Sequence, residues 1–451
     1  MLKDVVVVGG GLAGSEAAWQ LAQRGFQVKL YEMRPVMTTG AHVSNHLAEL
    51  VCSNSLGSKL PDRASGLLQA ELNMLGSMLM DCAMKTAIPA GGALAVDRES
   101  FARLVTETIE SHSNIDLIRG EVQSVPTAPS VIATGPLTSK TLASDLVRLT
   151  GQEYLYFYDA IAPIITTESI DMNIAFQGSR YGRGSDDMGD YINCPMNQAE
   201  YDEFVDAVLN APRTELRDFE RDDPHFFEGC LPIEQLAARG RNTLAFGPMR
   251  PTGLRDPRTG NRPHAIVQLR RDNLAGSLYN IVGFQTNIRW GEQERILRLI
   301  PGLAQAEFVR LGQMHRNTFV NAPALLDPTM QLRSHPGIFL AGQLTGVEGY
   351  AGNIATGLVA GLNLARLLAG EAEWIAPDTT MLGALCHYVT QSEPENFQPM
   401  KANFGIMPDL SHHVKAKRDR AAEYARRAIH DMQLSIDALA DPALAFQKSA
   451  P

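Results

Sequence analysis

The chain has 451 residues, of which 45% are hydrophobic and 20% charged, and this composition excludes a disordered or collagen-like protein. Its formal net charge of −10 argues against non-specific nucleic-acid binding, so an RNA partner would need local basic patches. The five cysteines lie far apart, without a CxxC pair or a His/Cys cluster, so we predict no metal site, no disulfide framework and a reducing compartment. No apolar stretch of about 18 residues and no signal-peptide core occur, and we therefore expect a cytoplasmic protein without a membrane span.

The first predicted unit is a strand, a glycine turn and a helix. Residues 4–8 form a short β-branched run, GGGLAG follows at once, and SEAAWQLAQRG predicts a helix. A second strand is predicted over residues 27–32. Glycines at positions 9, 11 and 14 form GxGxxG, and Glu32 ends the second strand about 20 residues after the turn, as in dinucleotide-binding folds.

Each position of this motif has a mechanical task. Gly9 permits a tight turn, Gly11 lets the backbone approach a pyrophosphate, and Gly14 lets helix and strand pack closely. The helix N-terminus offers N–H groups to phosphates, and Glu32 can accept hydrogen bonds from an adenosine ribose. The alternative is a glycine-rich turn inside an α/β core. We predict a dinucleotide site formed by Gly9, Gly10, Gly11, Leu12, Ala13, Gly14 and Glu32.

Further helices and strands are predicted after the first unit, and the composition changes in the middle of the chain. Helical spacing of apolar residues covers 66–86, and a helix with Asp97 as N-cap is predicted over 98–111. Strands are predicted over 115–119 and 130–134, where Gly135 and Pro136 end the second. The region from about 140 to 325 is richer in aromatic residues, proline and arginine. A strand over 337–341, a turn at Gly342 and a helix over 352–368 follow, and the remaining tail is mostly helical.

These elements predict an α/β fold with an interrupted nucleotide-binding domain. The first part spans 1–138, an inserted α+β substrate domain spans 139–325, the second part spans 326–375, and a helical C-terminal tail spans 376–451. A late strand–glycine–helix unit that returns to the first domain is typical of FAD proteins, and no second GxGxxG indicates a separate nicotinamide domain. The alternative for this late segment is a buried core helix. We predict that FAD contacts Gly342, Gln343, Thr345, Gly346, Val347, Glu348, Gly349 and Tyr350.

Several longer motifs resemble one family closely. GGGLAGSEAA, ELVCSNSLGS, FEGCLPIE, GPMRPTGL, LYNIVGFQT, WGEQ, MHRNTF and GQLTGVEGY together resemble the folate- and FAD-dependent tRNA (uracil-5-)-methyltransferase family, TrmFO, over residues 1 to about 410. The resemblance implies a glutathione-reductase-like FAD domain with an insertion. It also implies formation of 5-methyluridine at position 54 of the tRNA T loop. The carbon would come from 5,10-methylenetetrahydrofolate, and NADH or NADPH would supply electrons through FAD.

The same resemblance implies a role for two cysteines. Cys230 would attack C6 of uracil and Cys52 would take the C5 proton; the alternative is the same pair with the two roles exchanged. At the ordinary thiol pKa of about 8.5, only about 3% of a thiol is ionised at pH 7. We expect both thiols at helix N-termini, yet such a terminus supplies only about 0.3–1 kcal/mol, so a nearby cation or the flavin must help. Three other cysteines are predicted to be small buried residues: Cys82, Cys194 and Cys386.

The RNA-facing surface is predicted from basic patches and aromatic rings. One arginine-rich stretch spans residues 250–271, and a second basic stretch spans 415–427; for both, the alternative is a solvated face. Tyr279, Phe284 or Trp290 could stack on an unpaired base. Three positions depart from many family members, Asn287 in place of His and Gly352-Asn353 in place of Glu-Ser. The candidate substrate-side residues are Asn287, Arg289, His315, Arg316, Arg250 and Arg255.

Four other functions compete with tRNA methylation. An MnmG-like wobble-uridine modifier shares the nucleotide motif but would need a longer chain with a large C-terminal helical domain. Some relatives modify ribosomal RNA, and the sequence does not separate the two RNAs. A small-molecule flavin oxidoreductase would make the two cysteines incidental, and a non-catalytic FAD-containing RNA-binding protein would need the same surface without turnover. Oligomeric state is not predicted.

Overall fold

The computed structural model describes residues 4–39, 41–127, 129–152, 155–182, 189–213 and 231–439. Its strands are β1 Val5–Val8, β2 Val28–Glu32, β3 Ser55–Ser58, β4 Ala87–Ile88, β5 Ala93–Val96, β6 Ile115–Arg119, β7 Ser130–Ile132, β8 Leu155–Ile161, β9 Ile164–Thr166, β10 Phe176–Gln177, β11 Tyr191–Met196, β12 Ala265–Arg271, β13 Leu278–Ile281, β14 Phe308–Arg310, β15 Gln313–Phe319, β16 Ile338–Leu340, β17 Val347–Glu348 and β18 Met400–Lys401. Its α-helices are α1 Leu12–Gln23, α2 Ala64–Met74, α3 Met78–Lys85, α4 Arg98–Glu110, α5 Lys140–Thr150, α6 Gln198–Asn210, α7 Ile233–Ala238, α8 Thr243–Phe246, α9 Trp290–Leu297, α10 Ala322–Leu325, α11 Tyr350–Ala369, α12 Met381–Gln391 and α13 Lys417–Leu439.

A parallel sheet forms the centre of the part of the fold that contains the glycine turn. Its strand order is β16-β7-β1-β2-β6, and every pairing is parallel. The β1 strand consists of four valines, which suit a central strand covered on both faces. The predicted strands of this unit are confirmed to within two residues at each end, the helix α1 begins at Leu12, three residues before the predicted start, and the α/β fold class is confirmed.

One predicted helical stretch is divided in two. The apolar spacing over residues 66–86 is shared by α2 and α3, with Leu75, Gly76 and Ser77 between them. Gly76 has φ +75°, which leaves the helical region, and the Ser77 side chain accepts a hydrogen bond from the N–H of Met80. A glycine after a helix and a serine N-cap before the next are sufficient local signals for this break.

The helix α11 packs directly on α1. A Cβ atom at Gly357 would lie 2.2 Å from the carbonyl oxygen of Ala13, and one at Gly361 would lie 2.7 Å from that of Ala17. The two helix backbones therefore touch, and both N-termini point to the same edge of the sheet. This contact places the late segment beside the first glycine turn, as a returning FAD-binding unit requires.

A second, antiparallel sheet belongs to the middle of the chain. Its order is β10-β11-β12-β13-β9-β14, and its hydrophobic core draws on residues between 165 and 306. The first core draws on residues between 5 and 146 and again between 319 and 439. Leu142 and Leu146 of α5 lie in the first core, and α13 contributes Ala428 and Met432 to it. The domain boundaries drawn from the sequence stay predictions.

Glu71 is a buried carboxylate that joins α2 to the N-terminus of α12. Its two oxygens accept hydrogen bonds from the N–H groups of Met381 at 2.8 Å and Leu382 at 2.7 Å. Burial raises the pKa of Glu71 from 4.5 to about 7, although the two amide bonds oppose the rise. Because the folded state holds this proton more tightly, the associated stability is complete below about pH 4.5 and is lost as the pH rises through 7.

We expect the Glu71→Gln variant to lack this pH dependence. Between about pH 4.5 and 7, the unfolding free energy of the wild type should fall relative to that of the variant by on the order of 3 kcal/mol. Gln offers one oxygen acceptor instead of two to the two amides. This lowers the unfolding free energy of the variant by an amount that does not change with pH. Urea unfolding at several pH values measures both effects, with the exposed Glu107→Gln as the control. Parallel curves for wild type and Glu71→Gln would contradict the assignment.

Candidate active site

A cleft crosses the carboxyl ends of β1, β7 and β16. It encloses about 1040 Å³, including its open mouth. Ligands of parallel α/β sheets bind at this edge. The lining residues are Val8, Gly9, Gly11, Leu12, Ala13, Tyr31, Glu32, Met33, Arg34, His42, Glu49, Val51, Gly120, Glu121, Val122, Ala133, Thr134, Gly135, Pro136, Leu137, Thr138, Ser139, Leu142, Gly342, Gln343, Tyr350 and Asn353.

The glycine turn has the geometry that its spacing predicts. Gly9 has φ +105°, and a Cβ atom there would lie 2.4 Å from the carbonyl oxygen of Ala133. A Cβ atom at Gly14 would lie only 1.8 Å from the carbonyl oxygen of Gly9, whereas one at Gly11 would meet no atom within 4 Å. Gly11 is the N-cap of α1 and makes no side-chain capping bond. The turn therefore leaves an open cradle in front of a helix N-terminus, which fits a pyrophosphate.

Glu32 is held in place by several donors. Its carboxylate accepts hydrogen bonds from the N–H of Gly10 at 3.0 Å, from the N–H of Arg34 at 3.0 Å and from Nε of Arg34 at 2.9 Å. Burial would raise the pKa of Glu32, but the hydrogen bonds and charge of Arg34 outweigh it, and the pKa is lowered. An ionised carboxylate has about four acceptor sites, so Glu32 retains capacity for a ribose hydroxyl.

The late segment contributes its two ends to the cleft. Gly342, Gln343 and Tyr350 line it. Thr345 and Val347 are fully buried behind it. Glu348 accepts a hydrogen bond from Nε2 of Gln343 at 2.9 Å. Among the other predicted contacts, Gly346 has φ +81° and Gly349 has φ +83°, the latter as the N-cap of α11.

In the part of the chain that the structure describes, Asn353 has a buried, unpaired side-chain oxygen in the cleft, which indicates that a ligand binds there. It lines the cleft, is 9% exposed, and its Oδ1 has no hydrogen-bond partner among the described residues. Buried polar atoms are normally paired, so a bound group with an N–H or O–H donor would satisfy this acceptor. The open cradle at Gly11 and the acceptor at Asn353 lie at the N-termini of the two packed helices. Together they fit a long dinucleotide such as FAD.

Sequence reasoning missed part of this cleft. Arg34 bridges Glu32 and Glu49, with its Nη1 at 3.1 Å from Oε2 of Glu49 and at 3.0 Å from the carbonyl of Ser44. The side chain of Arg34 is only 5% exposed. The turn of residues 133–139 after β7 was identified only as a strand end. Its position at the carboxyl end of a parallel strand was the available signal.

Cys52 lies in a loop that forms part of the cleft wall. Its N–H donates a hydrogen bond to the Tyr350 hydroxyl at 2.9 Å, the N–H of Ser53 donates to the same oxygen at 3.1 Å, and Val51 lines the cleft. The expectation of a helix N-terminus at Cys52 is wrong, because the strand β3 begins three residues later. The Ser/Asn-rich sequence forms turns in which polar side chains bond to nearby backbone.

Cys230 lies outside the described residues. The helix α7 begins shortly after it, with Pro232 as N-cap. Glu234 of α7 accepts hydrogen bonds from Oγ1 of Thr286 at 2.9 Å and from the N–H of Asn287 at 2.7 Å. Burial raises the pKa of Glu234. The predicted substrate-side residue Asn287 is therefore hydrogen-bonded, through its backbone N–H, to the helix that follows Cys230.

The other three cysteines are buried, as predicted. Cys82, Cys194 and Cys386 are at most 2% exposed. Burial raises their thiol pKa to about 11 for Cys82 and about 12 for the other two. A buried neutral thiol is a poor nucleophile, so these residues are structural.

Three of the six substrate-side candidates have exposed side chains. Arg250, Arg255 and Arg289 are exposed, and Nε of Arg289 donates to the carbonyl of Arg213 at 3.0 Å. His315 and Arg316 lie on β15, which pairs with β8, and their side chains are outside the described part.

The aromatic predictions are corrected in part. Trp290 is 59% exposed, whereas Tyr279 and Phe284 are 6% and 0% exposed and cannot stack on RNA, because they pack in the second core. Arg270 is also buried, at 8% exposure, and is not part of an outer basic patch. In the second basic stretch, Arg427 donates to two backbone carbonyls.

We expect Glu32→Gln to weaken FAD binding by at least about tenfold and to lower the unfolding free energy by about 2 kcal/mol or more. The amide nitrogen of the introduced Gln would face one of the N–H donors that now bind the Glu32 carboxylate. The buried Arg34 would then keep only Glu49 as a charged partner. Fluorescence titration of deflavinated protein with FAD, together with urea unfolding, measures both. Glu294→Gln, on the surface of α9, is the control. Unchanged FAD affinity in Glu32→Gln would exclude the ribose role.

The parallel sheet, the open glycine turn and the cleft ending at Glu32 define an FAD-type dinucleotide-binding α/β protein. The family model of "Glucose inhibited division protein A" matches residues 4–372. A protein of Moorella thermoacetica named "Methylenetetrahydrofolate--tRNA-(uracil-5-)-methyltransferase TrmFO" is 56% identical over 430 residues, 95% of this chain and 97% of its own length. The protein of the same name from Bacillus pumilus is 52% identical over 433 residues, 96% of this chain and 99% of its own. The chain therefore belongs to the glucose inhibited division protein A family and, within it, to the TrmFO family.

The fold has a solved counterpart. The structure of Aquifex aeolicus GidA in the form II crystal has a TM-score of 0.69 at 15% identity and covers 98% of this chain and 74% of its own. This likeness shows a shared fold and agrees with the family model. Among the described helices, none is both long and apolar enough to cross a bilayer. The cytoplasmic placement stays a prediction.

Proposed function

We propose that this protein methylates C5 of a uridine in tRNA, with 5,10-methylenetetrahydrofolate as carbon donor and FAD as cofactor. The names of relatives that are 52–56% identical over nearly the whole chain support this activity. The observation that carries it is the position of Cys52. Its loop forms part of the wall of the dinucleotide cleft and is bonded to Tyr350, which also lines that cleft. A thiol beside a flavin site is what this reaction requires.

The residues of this chain have separate tasks. Bound FAD supplies the redox chemistry of methyl-group formation, and the glycine turn and Glu32 hold its dinucleotide part. Cys230 attacks C6 of the uracil, which makes C5 nucleophilic, and Cys52 removes the C5 proton. The target base must leave its stack to reach both thiols. The resemblance supports uridine 54 of the T arm as the target and NADH or NADPH as the reductant.

The chain matches the named methyltransferases over nearly their whole length. The chain covers 97–99% of the named methyltransferases but only 74% of the Aquifex GidA structure, which has additional residues. About a quarter of the Aquifex GidA chain therefore has no counterpart in the matched region.

The test is a labelling reaction with the FAD-loaded protein. It contains 5,10-methylenetetrahydrofolate labelled in the methylene carbon, NADH or NADPH, and a T-arm transcript; a second transcript carries cytidine in place of uridine 54. We expect label at C5 of uridine in the first transcript only. Oxidation of the nicotinamide without label in RNA would contradict the proposal and favour a small-molecule oxidoreductase. Label only in an anticodon-arm or ribosomal RNA fragment would exclude the T arm.

A further inference from the structure

Two arginines anchor the backbone on the N-terminal side of Cys52. Nη1 of Arg98, at the start of α4, donates to the carbonyl of Leu50 at 2.9 Å. Nη2 of Arg310, at the end of β14, donates to the carbonyl of Val51 at 2.6 Å. Arg98 belongs to a helix of the first core, whereas Arg310 belongs to the antiparallel sheet. Two guanidinium groups therefore meet at the residues just before the thiol.

A third arginine and a tyrosine anchor the other side. Nε of Arg270, on β12, donates to Oδ1 of Asn54 at 2.9 Å. The Tyr350 hydroxyl accepts from the N–H groups of Cys52 and Ser53. Arg270 is 8% exposed, so its charge is removed from water. The loop of residues 50–54 is thus fixed at each position by a side chain from elsewhere in the fold.

The charges around the loop do not balance among the described residues. Asp272 is ion-paired with Arg98, with Nη2 and Oδ1 3.0 Å apart, and within the described part of the chain it is the one carboxylate that acts on all three guanidinium groups. Tyr350 and Tyr191 face the same group of arginines as neutral hydroxyls, because burial raises the pKa of both. Three buried or half-buried arginines against one aspartate leave positive charge at the loop. An anion is expected there.

The group within the loop that can become an anion is the thiol of Cys52, which lies between the residues that the arginines bind. Burial lowers the pKa of both Arg270 and Arg310, and the charge of Arg98 lowers it further. Negative charge on a nearby tyrosine, and to a smaller extent at Asp272 and Cys52, would raise it. Electrostatic coupling is reciprocal, so a thiolate that stabilises two guanidinium groups is stabilised by them to the same extent. Cys52 is followed by a strand rather than a helix, so the arginines take the place of a helix terminus as the source of positive charge.

We propose that Arg310 and Arg270 are positioning residues that keep Cys52 as a thiolate before the substrate arrives, so that it acts as a base already in place. This inference rests on the proposed function for the identity of the proton. In the step concerned, the C5–H bond of the uracil breaks, an S–H bond forms at Cys52, and the electron pair remains in the pyrimidine ring. No oxidant or reductant enters this step. A neutral thiol has no capacity for this proton, so the ionised fraction of Cys52 limits the rate.

The test measures the thiol itself rather than methylation. The rate of iodoacetamide alkylation of Cys52 is followed by peptide mass spectrometry in the FAD-loaded protein across pH, with and without Cys230→Ala to remove coupling to the second thiol. We expect the wild-type midpoint at least about one pH unit below the ordinary 8.5 of cysteine. Arg103→Gln, a surface arginine on α4, is the control and should leave the profile unchanged.

Two variants of Arg310 separate charge from anchoring. Arg310→Gln keeps a donor for the Val51 carbonyl without the charge, and Arg310→Lys keeps the charge. We expect Gln to raise the midpoint by about one unit and to slow alkylation at pH 7 up to about tenfold, and Lys to restore most of the wild-type profile. FAD absorbance and thermal unfolding check that each variant is folded.

The outcomes separate the inference from the proposed function. Superimposed profiles for wild type and a folded Arg310→Gln would overturn the inference, and so would a wild-type midpoint at or above 8.5. If the profile shifts as expected while RNA is never labelled, the thiolate assignment holds and the proposed function fails. If RNA is labelled and the profile does not shift, only the arginine inference is wrong.

Discussion

The Cys52→Ala variant is expected to bind FAD as the wild type does and to lose about a hundred- to ten-thousand-fold in the rate of tRNA methylation. The binding is retained because Cys52 contacts Tyr350 through its backbone N–H, which alanine keeps. The rate falls because the C5 proton has no other acceptor assigned to it. Labelled-carbon transfer to the T-arm transcript, with FAD content from visible absorbance, measures both quantities.

A comparison with Cys230→Ala separates the two thiol roles. If Cys230 forms the bond to C6 and Cys52 takes the proton, Cys52→Ala should accumulate RNA covalently bound to protein, and Cys230→Ala should form none. The exposed surface variant Arg103→Gln is the control for RNA handling. The reverse pattern would exchange the two roles, and full methylation by a folded Cys52→Ala would remove this residue from the chemistry.

The dinucleotide half of the site could be predicted from the sequence because its determinants are local. The order of β1, glycine turn, α1 and β2 is contained in one short segment, and Glu32 follows at a fixed distance. The same holds for the cap of α4, where the Asp97 side chain accepts from the N–H of Ser100 at 2.8 Å. In each case the residue types alone define backbone conformation or hydrogen bonds within a few positions.

The surroundings of Cys52 could not be predicted because they are assembled from distant parts of the chain. Arg98 and Arg310 are more than two hundred residues apart, and these two side chains and Arg270 come together only because all three bind the loop of residues 50–54. In the sequence, Arg270 belongs to an arginine-rich stretch and resembles part of an RNA-binding face. Its position on β12 is what turns it towards Asn54, and strand pairing at long range is not encoded in local spacing.

The cleft and the thiol loop form one structural unit through Tyr350. This residue begins α11, lines the cleft with its side chain and accepts the two amides of the Cys52 loop. The packing of α11 on α1 positions it, since Gly357 and Gly361 allow the backbones to touch. Cofactor position and thiol position are therefore set by the same helix. A change that separates α1 from α11 would disturb both.

The second large effect is expected at Gly11, where we predict that Gly11→Val leaves the fold intact and lowers FAD affinity by at least about a hundredfold. The space in front of Gly11 is open in the protein alone, because a Cβ atom there would meet no atom within 4 Å. Its φ of −76° and ψ of −169° suit any residue, so the substitution introduces no backbone strain. The valine side chain would instead occupy the place of a pyrophosphate at the helix N-terminus.

Two other glycine-to-valine variants serve as controls for this prediction. Gly14→Val places a side chain against the carbonyl oxygen of Gly9 at 1.8 Å and should destabilise the fold by about 3 kcal/mol or more, because backbone atoms cannot move aside as a side chain can. Gly291→Val, in open space on α9, should change neither stability nor cofactor affinity. Urea unfolding and FAD titration compare the three. If Gly11→Val binds FAD as tightly as Gly291→Val, the open cradle does not hold the dinucleotide, and the assignment of this cleft is wrong.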